Sequence, residues 1–305
     1  MIKKKVGFIV ESNNSLGGVE TIFRNLAHLC EIYRFRTKTE VIQAIKSKKL
    51  NYEIIIFNQP FSTLLLCLFN KINRKSKLFY LIHINFNEGK FIRKIFASFF
   101  FKFLNYFNVK LLFFSETMSR NYTKNDFKIV PPPVFKYPNR IKEFCNTKER
   151  EINFLFVGRY ENQKGADILK EISTNIGKKI IAIGKGSIEI DSEFIDDLGP
   201  MTIDLVYKQM EKSKVLLLPS RFEGFGLVIL EAISMGCKVV AFNCDYGPGD
   251  LKKMFPNDIY LVEKNNIKEF AKTAQRVLSM ELEDTNNKIK LLDMYTPENF
   301  IKSLE

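Results

Sequence analysis

The chain has 305 residues, of which 46% are hydrophobic and 27% are charged. This balance excludes an intrinsically disordered protein, and the length suffices for two domains of roughly 150 residues each. The formal net charge of +13 is uneven, because residues 1–150 carry 27 Lys and Arg against 10 Asp and Glu while the remainder carries 20 against 24. The first half is therefore predicted to face an anionic surface or polymer. Nucleic acid is the second candidate, but no helix-turn-helix, zinc-finger or RNA-binding signature accompanies the charge, and we do not expect it as a partner.

The cysteines and the apolar segments indicate a cytoplasmic protein. The five cysteines are an odd number without C-x-x-C spacing, which favours reduced, buried thiols over a disulfide framework. The apolar run near the N-terminus stops at Glu11 and is too short for a signal peptide. Apolar segments such as Phe61–Phe69 are too short to span a membrane.

The first predicted elements alternate between strand and helix. Val6–Val10 is a buried strand, and a polar turn after it leads through Gly17-Gly18 into a helix with apolar residues at helical spacing. A ligand usually meets the edge of an α/β sheet at such a turn. Tyr52–Phe57 and Lys77–Ile84 are predicted as further strands, and His83 lies near the end of the second.

A basic and aromatic helix is predicted at Lys90–Lys110. It contains seven phenylalanines, with Lys and Arg between them. Packing in a core explains some of these aromatic residues, and a basic amphipathic helix lying in a membrane interface is the alternative. Leu111–Phe114 is the next predicted strand, and three prolines starting at Pro131 end the regular pattern before a charged linker.

Strand, polar loop and helix recur in the second half. Phe154–Val157 is followed by the loop GRYENQKG and a helix at Ala166–Ile176. The stretch Val215–Leu251 then predicts a strand, a loop with two glycines, a helix and a second strand. Its glycines allow backbone N–H groups to approach a ligand at the helix N-terminus, where the dipole favours a phosphate. Glu223 and Glu231 flank this helix start among apolar residues, so each needs a partner, and sugar or ribose hydroxyl groups would supply one.

The segment PSRFEGFGLVILEA, beginning at Pro219, resembles the signature of retaining glycosyltransferases with two Rossmann-like domains, known as family 4 or group 1. The loop GRYENQKG resembles the same family's G-R-x-x-x-x-K-G pattern. The resemblance implies an α/β fold of the GT-B type, with two Rossmann-like domains facing a central cleft and a C-terminal helix that returns to the first domain. The implied divisions are an acceptor-side domain at 1–135, a linker at 136–150, a nucleotide-sugar domain at 151–290 and the returning helix at 291–305.

The resemblance also implies roles for individual residues. Glu223 would contact the donor sugar, Arg159 and Lys164 would hold the donor diphosphate, and His83 would touch the sugar near the reaction centre. These four are the implied catalytic residues. The remaining implied donor-binding residues are Gly17, Gly18, Gly158, Gly184, Pro200, Phe225, Gly226, Leu227 and Glu231, of which Glu231 would contact the ribose.

The function implied is the retaining, metal-independent transfer of a hexose from a nucleotide sugar, with UDP as the expected nucleotide. The acceptor would be a glycan or a lipid-linked glycan in the synthesis of a bacterial surface polysaccharide such as capsule or lipopolysaccharide. We expect no cofactor and no metal, since the sequence contains no D-x-D triplet. The expected location is the cytoplasm, with peripheral attachment to the anionic inner face of the plasma membrane. The alternatives are another GT-B enzyme, such as a sugar-nucleotide epimerase or a phosphorylase, and a non-catalytic partner subunit or sugar-binding module.

Overall fold

The computed structural model describes residues 6–11, 18–35, 37–47, 52–60, 62–64, 67–68, 76–82, 91–120, 125–134, 150–244, 246–280 and 290–305. The chain divides into two compact units, one made of residues 1–134 with 296–305 and the other of residues 135–295. Three sequence-based expectations lie outside the described residues: Gly17, His83 and nearly all of the linker at 136–150. Within the described ranges, no helix is both long and apolar enough to traverse a bilayer.

The first unit contains a parallel sheet of six strands in the order β2-β1-β3-β4-β5-β6. The strands are β1 (Val6–Glu11), β2 (Glu31–Phe35), β3 (Ile54–Phe57), β4 (Lys77–Leu81), β5 (Lys110–Phe113) and β6 (Phe127–Ile129). The helices are α1 (Gly18–Leu26), α2 (Lys38–Lys46), α3 (Phe91–Tyr106) and α4 (Glu116–Ser119). The central strands are continuous apolar runs, as expected for a parallel sheet covered on both faces. The sequence did not predict β2 and α2, because β2 is a short, partly exposed edge strand.

The last helix, α10 (Pro297–Lys302), belongs to the first unit. Thr296 caps it by accepting a hydrogen bond from the backbone N–H of Asn299 at 3.2 Å. Phe300 is fully buried and its ring stacks on Phe8 of β1, with 6.2 Å between ring centroids. The helix is therefore fixed by apolar contacts with the sheet of the first unit.

The second unit contains another parallel sheet, in the order β12-β11-β10-β7-β8-β9. Its strands are β7 (Ile152–Val157), β8 (Ile180–Ile183), β9 (Ile195–Asp197), β10 (Ser213–Leu218), β11 (Lys238–Phe242) and β12 (Ile259–Val262). Its helices are α5 (Leu169–Ile176), α6 (Ile203–Glu211), α7 (Leu227–Ser234), α8 (Pro248–Met254) and α9 (Ile267–Leu278). The helix expected from Ala166 begins at Leu169, since Ala166–Ile168 form a 3-10 turn.

The strand order of the second sheet places its switch point between β7 and β10. From β7 the chain builds β8 and β9 on one side, and then crosses to build β10, β11 and β12 on the other. The connections that leave the carboxyl ends of β7 and β10 therefore diverge, which opens a crevice where α/β proteins bind ligands. The loops 158–165 and 219–226 follow these two strands.

Arg150 anchors the opposite end of the same sheet. Its buried guanidinium donates through Nη1 to the carbonyl of Ser213 at 2.5 Å and through Nη2 to the carbonyl of Met235 at 2.8 Å. The first carbonyl lies at the start of β10 and the second at the C-terminal end of α7, where a cation is favoured by the helix dipole. Arg150, expected in the linker, is thus a structural residue of the second unit.

Candidate functional site

The loops after β7 and β10 approach each other so closely that only glycine fits at one position. Gly165 has φ +73°, and a Cβ added there would lie 2.1 Å from the carbonyl oxygen of Pro219. Both the left-handed backbone and the close approach exclude a side chain. Gly165, which follows Lys164, therefore allows the loop after β7 to contact the loop after β10.

Lys164 and Glu223 form an ion pair across these loops. The Lys164 Nζ donates to Glu223 Oε1 at 2.8 Å and to Oε2 at 2.9 Å. Only 18% of the lysine side chain and 6% of the glutamate side chain is exposed. An ammonium has three donors and a carboxylate about four acceptor positions, so each group keeps hydrogen-bonding capacity for a ligand.

Arg159 lies on the same loop but does not join this pair. Its Nη2 donates to Gln163 Oε1 at 2.6 Å, and its Nη1 pairs with Glu161 Oε2 at 2.7 Å. The side chain is substantially exposed. Arg159 therefore offers an exposed cation at the loop surface, which an anionic ligand could reach by displacing the Glu161 carboxylate.

The start of α7 provides a second feature suited to an anion. Gly226 has φ +80° and precedes the first helical residue, Leu227, which is partly buried. Phe225 is buried before it, and a Cβ added to Gly247 would lie 2.3 Å from the Phe225 carbonyl oxygen. The backbone around the helix start is thus fixed. The first N–H groups of the helix form the positive end of its dipole, which favours an anion at this position.

Glu231 lies on α7 and is separate from the Lys164–Glu223 pair. It is only 6% exposed, and the hydroxyl of Tyr207 on α6 donates to its Oε1 at 3.4 Å. The two glutamates of the signature are therefore both buried, as the sequence predicts, but each has a different protein partner. Tyr207 was not expected from the sequence.

The loops that follow β7, β8 and β9 also contact one another at the carboxyl edge of the sheet. A Cβ added to Gly184 would lie 1.8 Å from the carbonyl oxygen of Gly158, so these glycines allow the two loops to touch. The N–H of Gly184 donates to the carbonyl of Gly199, which precedes Pro200, at 3.1 Å. Tyr160 supports the same region by donating to Asp197 Oδ1 at 2.5 Å, and burial with this hydrogen bond raises the pKa of the tyrosine.

Two residues of the second loop were missed by the sequence interpretation. Arg221 binds the carboxylate of Asp167, which follows Lys164 and Gly165 in the chain. Ser220 is buried, and among the described residues its Oγ finds no hydrogen-bond partner. The sequence places Ser220 and Arg221 in the glycine loop, and this was the one available signal for them. It could not predict the contact between Arg221 and Asp167, because these residues are 54 positions apart and belong to no common motif.

The remaining expected residues belong to the first unit. Gly17 and His83 lie outside the described residues, and Gly18 begins α1. In the described ranges, no group of three or more His, Cys, Asp or Glu side chains is arranged to hold a metal ion.

Comparison with known proteins identifies the second unit. Residues 151–280 match the family described as glycosyl transferases group 1. An uncharacterized glycosyltransferase of Haemophilus influenzae is 30% identical over 164 residues, which are 49% of this chain and 44% of that protein. Matches to this and two further curated relatives span only 36% to 44% of those proteins. The lipopolysaccharide 1,6-galactosyltransferase of Salmonella typhimurium is 24% identical over 340 residues, with 91% of this chain and 90% of that protein covered.

Solved structures extend the likeness to the fold of the whole chain. The crystal structure of HepE from Anabaena, in complex with UDP, has a TM-score of 0.70 and 15% sequence identity, with 98% of each chain covered. Together with the two parallel six-stranded sheets, this establishes the two-domain α/β GT-B fold. Within this fold, residues 151–280 are similar to the group 1 glycosyltransferases.

Proposed function

We propose that this protein transfers a hexose from a UDP-sugar to a glycan or lipid-linked acceptor, with retention of the anomeric configuration. The observation that carries the proposal is the buried Lys164–Glu223 pair at the switch point of the second sheet, beside the start of α7. A nucleotide sugar presents an anionic diphosphate next to neutral hydroxyl groups. The pair presents an ammonium next to a carboxylate, which is the complementary arrangement.

The departing diphosphate is the chemical problem that the site addresses. Cleavage of the bond between the sugar and the phosphate leaves negative charge on the leaving oxygen, and fixed positive groups stabilise that charge most effectively. Lys164, Arg159 and the N-terminus of α7 are the groups at this edge of the sheet that would supply positive potential. Glu223 accepts hydrogen bonds from sugar hydroxyls and so orients the sugar.

Retention follows in this proposal from attack on the same face that the leaving group departs from. The leaving phosphate oxygen takes the proton of the acceptor hydroxyl as the new glycosidic bond forms. A double displacement would instead require a carboxylate positioned as nucleophile under the anomeric carbon, and Glu223 is engaged by Lys164 through both oxygens. Metal independence is proposed because Lys164, Arg159 and the start of α7 can donate hydrogen bonds to the diphosphate in place of a bridging cation.

The role of Glu231 in the proposal is to bind the ribose. Its buried carboxylate accepts from the Tyr207 hydroxyl, and the vicinal hydroxyls of a ribose are donors of the same kind that suit a carboxylate. The choice of UDP and of a surface polysaccharide rests on the relatives. HepE was crystallised with UDP, and the Salmonella relative is a lipopolysaccharide galactosyltransferase.

The first unit is proposed to lie on an anionic membrane, where a lipid-linked acceptor would be available. On α3, Phe100 and Leu104 are buried while Phe99 and Tyr106 are 69% and 70% exposed. Lys102 is exposed between them, so one face of the helix combines aromatic rings with positive charge. Such a face inserts shallowly into the headgroup region of an anionic leaflet.

A panel of nucleotides and nucleotide sugars tests the proposal directly. UDP and at least one UDP-sugar should raise the melting temperature of the wild-type protein, whereas ADP, GDP and CMP should not. A Glu231→Gln variant should lose most of the shift produced by UDP, because the ribose contact is weakened. A protein stabilised by none of these ligands would contradict the proposed donor class.

A further inference from the structure

The side chain of Arg221 joins the two loops of the site. Its Nη1 and Nη2 donate to Asp167 Oδ1 at 2.6 Å and Oδ2 at 2.7 Å, which is a bidentate ion pair. Its Nη1 also donates to the carbonyl of Asn162 at 2.6 Å. The arginine and aspartate side chains are 27% and 31% exposed, so the pair is partly shielded from water.

The backbone on both sides of this pair is tied as well. The N–H of Arg221 donates to the carbonyl of Gln163 at 2.9 Å, and Nε2 of Gln163 donates to the carbonyl of Phe222 at 3.3 Å. Lys164 directly follows Gln163, and Glu223 directly follows Phe222. The contacts of Arg221 therefore set the separation of the two loops at the residues next to Lys164 and Glu223.

We infer that Arg221 and Asp167 are positioning residues for the donor. Their ion pair holds loop 219–226 against the segment 158–167, so that Lys164 and Glu223 meet the diphosphate and the sugar at a fixed separation. Neither residue needs to touch the donor to do this. The inference rests on the proposed function and adds to it two residues that act through Lys164 and Glu223.

Direct binding of phosphate by Arg221 is the competing explanation. It fits the structure less well, because the Asp167 carboxylate already occupies both terminal nitrogens of the guanidinium and would repel an approaching diphosphate. The two explanations differ in what they predict for Asp167. If Arg221 binds phosphate, then neutralising Asp167 frees the arginine and strengthens binding. If the pair positions the loops, then loss of either partner weakens binding equally.

Calorimetric titration with UDP separates these explanations. We expect Asp167→Asn and Arg221→Gln each to weaken UDP binding about tenfold, because small misplacements of binding groups have large effects. The double variant should bind UDP no more weakly than either single variant, since both changes remove the same interaction. Arg221→Lys should weaken UDP binding as much as Arg221→Gln does, because an ammonium cannot form the two parallel hydrogen bonds that the planar guanidinium makes with a carboxylate.

Two further variants of this protein distinguish a positioning role from a general effect on folding. In a Lys164→Met background the contact that the pair positions is already absent, so Asp167→Asn should weaken UDP binding by about twofold at most. The exposed pair of Lys179 and Asp196, with Nζ 2.8 Å from Oδ1, is the matched control, and Asp196→Asn should leave UDP binding unchanged. Melting temperatures of the two aspartate variants should be similar, since partly exposed ion pairs each stabilise by about 1 kcal/mol or less.

The outcomes are distinguishable. Wild-type UDP binding that is unaffected or strengthened by Asp167→Asn overturns the inference and leaves the proposed function intact. Loss of binding in Arg221→Gln alone makes Arg221 a direct ligand and also overturns it. Absence of UDP binding by the wild-type protein overturns the proposed donor class and this inference with it.

Discussion

The Nζ of Lys164 lies 2.8 Å from Oε1 and 2.9 Å from Oε2 of Glu223, although the two residues are 59 positions apart in the chain. Each was expected to contact a different part of the donor. Because they are also partners of each other, neither can be replaced without changing the environment of the other.

A double-mutant cycle on this pair should therefore be strongly non-additive. Lys164→Met leaves a carboxylate buried without its cation, which should lower the free energy of unfolding by about 3 kcal/mol or more. Lys164→Met/Glu223→Gln removes both charges and should be more stable than Lys164→Met, while remaining as inactive. Urea unfolding and donor turnover measure the two effects. Additive losses of stability would show that the pair does not act as a unit.

Much of the fold could be predicted because its signals are local. Apolar runs of four to six residues became the central strands, and loops with glycine followed them at the expected edge of the sheet. The strand β2 escaped prediction because an exposed edge strand carries little apolar pattern. The pairs Lys164–Glu223 and Arg221–Asp167 escaped because they join loops that come together only when β7 and β10 pair. The sequence singled out Lys164 and Glu223 as candidate site residues, but it did not predict their contact with each other.

Arg150 should be important for stability and not for donor binding. Arg150→Met removes a buried cation that binds the carbonyls of Ser213 and Met235, at the end of the sheet opposite to the site. Two charge-assisted hydrogen bonds of about 1.5–3 kcal/mol each are lost, so the melting temperature should fall by several degrees. UDP affinity, measured at a temperature where the variant is folded, should remain that of the wild-type protein. A large loss of affinity in the folded variant would contradict this separation of roles.

Membrane binding should depend on the exposed face of α3. We expect the wild-type protein to sediment with vesicles of mixed phosphatidylcholine and phosphatidylserine, and less so as salt is raised. Each basic residue near such a surface contributes about 1 kcal/mol, so Lys102→Glu should reduce the bound fraction several-fold, and Phe99→Ser/Tyr106→Ser should also reduce it.

The control for this experiment is Lys272→Glu, which makes the same charge change at an exposed position of α9 in the second unit. It should sediment like the wild-type protein. Equal losses in Lys102→Glu and Lys272→Glu would indicate a non-specific effect of net charge. Equal sedimentation with neutral and anionic vesicles would exclude the electrostatic component.

Alkaline pH should weaken the second unit through Tyr295. Burial raises the pKa of this tyrosine from 10.0 to about 12, so the folded protein keeps the phenol neutral where the unfolded chain ionises it. Its contribution to stability is therefore complete below pH 10 and is lost as the pH rises towards 12. The difference in unfolding free energy between wild type and Tyr295→Phe should shift against the wild type by about 1.4 kcal/mol per pH unit in this window. A difference that is independent of pH would contradict the buried phenol.

The stereochemistry of transfer, followed by NMR of the anomeric proton in the presence of excess EDTA, tests the central claim most directly. With the UDP-sugar identified by the binding panel and a suitable acceptor, the wild-type protein should form a product with the anomeric configuration of the donor. Glu223→Gln should form it at least tenfold more slowly, at about the cost of one charged hydrogen bond. An inverted product, complete inhibition by EDTA that a divalent cation reverses, or wild-type turnover in Glu223→Gln would contradict the account.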